Sequence, residues 1–101
     1  MKLFLVHCGF YDPEMCDGVY ESHVNFFVVA ESFEAARARA KQNPIFQQKK
    51  MHVDGLQQVD AVDGHHVELS FDKKLAGQSL VVSHRYHDML SKKSPKGVPV
   101  H

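Results

Sequence analysis

Glu21-Ser22-His23 and His52-Val53-Asp54 each set a carboxylate and an imidazole two residues apart. Both stretches read as β-strand, and side chains two apart on a strand leave from the same face. Each pair is a small polar patch on an otherwise apolar element. Neutral imidazole and carboxylate together suit a divalent metal such as zinc, manganese or iron. The same groups can form an acid–base pair, with the carboxylate orienting the histidine. Either chemistry requires the two strands to be neighbours or to face each other across a cleft. The competing reading is a solvated sheet face, where cross-strand acid–imidazole pairs add roughly a few tenths of a kcal/mol.

Other constellations are weaker. His7 and Cys8, with Cys16 across a loop, offer three soft donors, and two cysteines with one histidine would leave a zinc ion an open position. A buried free Cys8 is the commoner case. Asp60 and His66 are expected as cross-strand neighbours in ordinary surface pairing. His84-x-x-His87 would share a face if helical, and His65-His66 would split across a strand. Neither has the spacing of a zinc signature. Phe10 and Tyr11 with Asp12 could line a loop pocket. No Gly-x-Ser-x-Gly elbow and no phosphate-cradling glycine loop is present.

The elements that must position these residues follow from the hydrophobic pattern. Lys2 to Gly9 is a run of Leu, Phe and Val without alternation, expected as a central strand buried on both faces. Asp12-Pro13 and Asp17-Gly18 mark a loop. Val19 to Ala30 is a strand with Tyr20, Val24, Phe26, Val28 and Ala30 on one face. Glu21, His23 and Asn25 share the other face, where Phe27 and Val29 predict fuller burial towards the end. Ser32 caps a helix from Phe33 to about Gln42, with a stripe of Phe33, Ala36 and Ala40. Asn43-Pro44 ends it.

Residues 51 to 71 read as a hairpin turning at Asp63-Gly64. A three-residue loop, Val62-Asp63-Gly64, pairs Ala61 with His65 and Val59 with Val67. It sorts the faces better than a two-residue turn and is preferred here. Met51, Val53, Val59, Ala61, Val67 and Leu69 then share one face. His52, Asp54, Gln58, Asp60, His66 and Glu68 share the other, and Leu56 is the awkward residue on it. Leu80 to Ser83 could add a short fifth strand, and residues 91 to 101 read as a mobile tail after a single domain over 2 to 90.

The bulk properties are those of a globular chain. It has 101 residues, 44% hydrophobic and 24% charged, which argues against wholesale disorder. Lys+Arg and Asp+Glu are 12 each, so charge balance gives no reason to expect nucleic acid or an anionic membrane as partner. Two cysteines form no disulfide framework and are expected as reduced thiols in the cytoplasm. The apolar start stops at His7, too short for a signal h-region, and nothing reaches membrane-spanning length.

An ordered set of short stretches resembles the bacterial family known as domain of unknown function 1543. Lys2 to Val6 leads into Gly9-Phe10-Tyr11-Asp12-Pro13. Glu21-Ser22-His23 precedes Phe27-Val28-Val29-Ala30. An alanine-rich helix begins at Glu34-Ala35-Ala36. His52-Val53-Asp54 and Val59 to Gly64 close the pattern. One departure is that Gly9 stands between Cys8 and Phe10, where the family pattern has a Gly-Gly pair. The resemblance implies a small α+β protein and carries over no activity and no catalytic residues.

The expectation is an α+β domain in β-β-α-β-β order, with a mostly antiparallel sheet and one helix on one face. The uncovered face favours a homodimer. Glu21, His23, His52 and Asp54 are the candidate site for a small ligand, with no cofactor required and a divalent metal as one candidate occupant. The function class is a binding or interaction module, and the alternative is a metal-dependent or acid–base enzyme using the same four residues.

Overall fold

A computed structural model of the chain describes residues 1 to 85, so His87 and the expected tail lie outside the described residues. The chain divides into two compact units at Ser70/Phe71. The first holds a three-stranded antiparallel sheet in the order β2-β1-β3. Its strands are β1 (Lys2–Tyr11), β2 (Glu21–Ala30) and β3 (His52–Val59). Strand β1 is central, as its apolar run predicts. Phe4, Val6, Cys8 and Phe10 are buried on one of its faces, while Leu3, Leu5 and His7 on the other are half-buried.

Helix α1 (Phe33–Lys41) packs on the buried face. The Ser32 hydroxyl accepts from the Ala35 N–H at 3.1 Å and starts the helix. Ala36 and Ala40 are fully buried, because their small side chains let the helix approach the sheet closely. The Phe33 ring reaches back edge-on to Phe4 at 5.2 Å. Asn43-Pro44 ends α1 but also opens a second short helix, α2 (Pro44–Gln48). The Asn43 side chain caps it from the Ile45 N–H, and proline at the first turn forfeits no helical hydrogen bond. Phe46 of α2 joins Val6, Cys8, Phe10, Ala40 and Met51 in one core cluster.

Strand β3 departs from the expected hairpin in two ways. It pairs with β1, and its register slips between His7 and Cys8. His7 pairs with Gly55 and Cys8 with Val53, so Asp54 is the extra residue of a β-bulge. The bulge changes which face each residue takes. Leu56, the misfit of the sequence pattern, packs against the core beside Val53. Val59, expected to share a face with Val53, pairs with Leu3 on the open side.

Beyond β3, a two-stranded ribbon joins β4 (Ala61–Val62) to β5 (His65–His66). Its register is Ala61 with His66 and Val62 with His65, which corrects the expected three-residue loop to a two-residue turn. Asp63 and Gly64 both have positive φ, 49° and 76°, the pair a type I′ turn requires. Asp60 consequently lies opposite Val67, whose N–H it accepts, and not opposite His66. The face argument failed because it sorted residues 51 to 71 as one continuous hairpin, whereas β3 pairs with β1 and only the residues beside the turn form the ribbon.

Phe27 and Val29 remain 52% and 37% exposed on the face away from the helices, against the expectation of burial there. In the second unit, Lys73–Leu75 form a single helical turn started by Asp72. The run Leu80 to Ser83 forms no strand; Leu80, Val81 and Val82 are exposed, and no ladder partner pairs with them among the described residues.

Candidate functional site

Glu21, His23, His52 and Asp54 come together on the open face of the sheet. Strands β2 and β3 are not neighbours; they flank β1, and the four side chains meet above it. What makes this geometry fit is Gly9. It pairs with His23 on one side and with His52 on the other. A Cβ at Gly9 would lie 2.8 Å from the Asp54 Oδ2, 2.8 Å from the His52 Nε2 and 3.0 Å from the Glu21 Cδ. Glycine inside a strand marks close approach by other groups, and here the groups are the side chains of both neighbouring strands.

The bulge supplies the other half of the placement. In an unbroken ladder Gly9 would pair with Val53, and His52 would face the helices. The extra residue at Asp54 turns His52 to the open side and leaves the Asp54 side chain there too. The four groups then alternate around a ring. His23 Nε2 is 2.5 Å from Glu21 Oε1 and 3.2 Å from Asp54 Oδ2. His52 Nε2 is 3.1 Å from Glu21 Oε2 and 3.1 Å from Asp54 Oδ1. Their side chains are 28% to 46% exposed, so the ring is open to solvent.

Residues of β1 complete the surroundings. The His7 ring stacks on His23 at 4.8 Å between centroids, and its Nδ1 is 2.6 Å from the Asn25 Oδ1. Tyr11 pairs with Glu21 across the strands and tilts towards His52 at 6.4 Å. Desolvation pushes the Glu21 carboxyl up. Hydrogen bonds from His23 and Tyr11 and the nearby imidazoles outweigh it, so its pKa lies below the ordinary value. The negative charge of Glu21, and its hydrogen bond to the phenol, raise Tyr11 and keep its proton in place. Burial and then the Asp54 charge raise the Cys8 thiol.

All four residues of the two alternations are thus brought together, and the other candidates separate. Cys8 is buried on the helix side while His7 faces the opposite way, and Cys16 is exposed, so the soft three-donor site does not assemble. Asp60 accepts both of its side-chain hydrogen bonds from Gln58, and neither it nor His66 belongs to a donor cluster. His65 turns back to the Asp63 carbonyl. Phe10, Tyr11 and Asp12 do line a cavity of about 500 Å³, with Gln48, Lys49 and Lys50 across from them. Tyr11 is common to that cavity and to the ring of donors.

Sequence reasoning did not join the residues of β1 to this site. His7, Gly9 and Tyr11 alternate, so they share a face, and a glycine interrupting an apolar central strand was the available signal. Two groups of donors have ligand atoms close enough to hold a metal ion: Glu21, His52 and Asp54, and His7, His23 and Asp54.

No curated protein and no solved structure matches the chain. The family model described as Domain of Unknown Function (DUF1543) matches residues 18–69, just over half of the chain. That stretch holds Glu21, His23, His52 and Asp54, while β1 with Gly9 precedes it. The chain belongs to the DUF1543 family.

Proposed function

We propose that this protein is a binding module that takes up a divalent metal ion through Glu21, His23, His52 and Asp54. The observation that carries this reading is the doubling of contacts at each imidazole. Each Nε2 faces two carboxylate oxygens, one from Glu21 and one from Asp54. An imidazole nitrogen has one hydrogen and can direct it at one acceptor. A cation among the four groups serves every donor at once. Metal–ligand bonds of about 2.1 Å put neighbouring donors roughly 3.0–3.5 Å apart, close to three of the four separations. Two imidazoles with two carboxylates suit zinc, manganese or ferrous iron. The exposure of the ring gives a small ligand access to the ion.

Calorimetric titration of the metal-free protein with zinc or manganese tests the reading. Wild type is expected to bind with a dissociation constant of about 1 μM or tighter, and His23→Ala and His52→Ala are each expected to lose that binding. A folded wild-type protein that takes up neither ion overturns it.

The second reading, a metal-dependent enzyme, is favoured by Tyr11. Its hydroxyl is held on Glu21, stays protonated and borders the cavity, where it can donate a proton to a bound substrate. Turnover of an activated ester by the zinc-loaded protein, reduced in Tyr11→Phe, is its expected signature. Equal turnover by the two proteins removes it.

A further inference from the structure

We propose that the centre holds two divalent cations, bridged by Glu21 and Asp54, with His7 as a fifth protein ligand; this rests on the reading of the cluster as a metal site. Three observations converge. First, both carboxylates divide their oxygens in the same way. Glu21 presents Oε1 to His23 and Oε2 to His52; Asp54 presents Oδ2 to His23 and Oδ1 to His52. A carboxylate placed between two ions gives one oxygen to each.

Second, the donors form two groups of three, each with ligand atoms within 4.8 Å of one another. One is His7, His23 and Asp54; the other is Glu21, His52 and Asp54. Asp54 belongs to both groups, and Glu21 reaches the first through its Oε1, 2.5 Å from the His23 Nε2. The bulge is what puts Asp54 at the middle of the arrangement.

Third, His7 has the supporting contact that a ligand has. Its Nδ1 lies against the side-chain oxygen of Asn25, its cross-strand partner. An amide oxygen accepts and cannot donate, so the imidazole proton sits on Nδ1 and the lone pair on Nε2. A side-chain acceptor on the far nitrogen is the usual support for a metal-binding histidine. Three histidines and two carboxylates exceed the four donors of a closed zinc site, and two ions with open positions share them readily.

Metal-free protein is titrated with manganese, and bound metal is counted after gel filtration and read by electron paramagnetic resonance. Wild type is expected to bind two equivalents and to show a spin-coupled signal in place of the isolated-ion spectrum. His7→Gln is expected to bind one equivalent with no coupling. Asn25→Ala leaves every ligand in place and is expected to weaken the second ion about 10- to 100-fold. One equivalent in wild type overturns the two-ion centre and leaves the metal reading intact; none overturns both. Two coupled ions in His7→Gln, or an unchanged second constant in Asn25→Ala, overturns the part assigned to His7 and Asn25.

Discussion

The two faces of strand β1 work by opposite means. Towards the helices, Phe4, Val6 and Cys8 are fully buried, and their value lies in the volume they fill. Towards the open side, Gly9 matters through the volume it leaves to Glu21, His52 and Asp54. The first face shares its energy among many apolar contacts, each buried side chain contributing about 1.5–3 kcal/mol. The second concentrates its role in a single position. Fold stability and site geometry are therefore separable within ten consecutive residues of one strand.

The sharpest way to break this comparison is to exchange the two effects. Phe4→Ala should cost about 3–5 kcal/mol in urea unfolding, with metal affinity of the folded fraction unchanged. A cost under about 1 kcal/mol would mean that the buried face is not what holds the sheet. Gly9→Ala should do the reverse. The atoms a methyl group would meet are side-chain ends, which can swing aside, so unfolding should shift by no more than about 1 kcal/mol. Zinc affinity should fall by at least about 100-fold, near 2.7 kcal/mol, because three of the four donors are pushed apart. Unaltered zinc binding in Gly9→Ala would end the claim that the missing side chain creates the site.

The acid limb gives a smaller effect. Glu21 has a lowered pKa in the folded protein, so its contribution to stability is present above the ordinary carboxylate value of about 4.3. It disappears as pH falls through the lower folded value. Thermal midpoints of metal-free wild type and Glu21→Gln should differ above about pH 5 and converge below it. Curves that stay parallel down to acid unfolding would contradict the carboxylate's role. The smallest change expected is in Tyr11→Phe. Removing the phenol hydrogen bond should raise the Glu21 pKa, visible in a carbon NMR titration of its carboxyl, and remove only the matching part of the stability that Glu21 supplies.

Local features were legible in the sequence and long-range ones were not. Ser32, the alanine stripe and Asn43-Pro44 are cues that act within one or two turns, and α1 follows them closely. The apolar run of β1 announced a central strand, but only its helix-side face is fully buried; Leu3, Leu5 and His7 on the other are half-buried, against the expectation of burial on both. The two alternations named four residues whose side chains the fold does bring together. Their convergence depends on β1 lying between β2 and β3, and strand order leaves no mark in spacing. Gly9 acquires its meaning only once both flanking strands are known. The bulge at Asp54 is likewise a property of the β1–β3 pair; in β3 alone it shows only as Leu56 standing out of pattern. Asp63-Gly64 carried the strong local signal for a two-residue turn, and a face argument drawn from a hairpin over 51 to 71 overruled it wrongly.

The extra residue at Asp54 also bears on how this chain can change in length. It acts as a phase shift between two halves of β3: residues after it keep one alternation, and residues before it keep the opposite one. Deleting one residue between Val53 and Gly55 would restore an ideal ladder, and with it the strand would read as more regular. His52 would stay opposite Gly9 on the open side and Met51 in the core, because the pairings already skip Asp54, so the more regular strand would keep its faces and lose one carboxylate of the ring. In an alignment of relatives, a one-residue gap at this point is therefore absorbed by the bulge: Met51 and His52 keep their faces and their columns, and only the Asp54 carboxylate is missing.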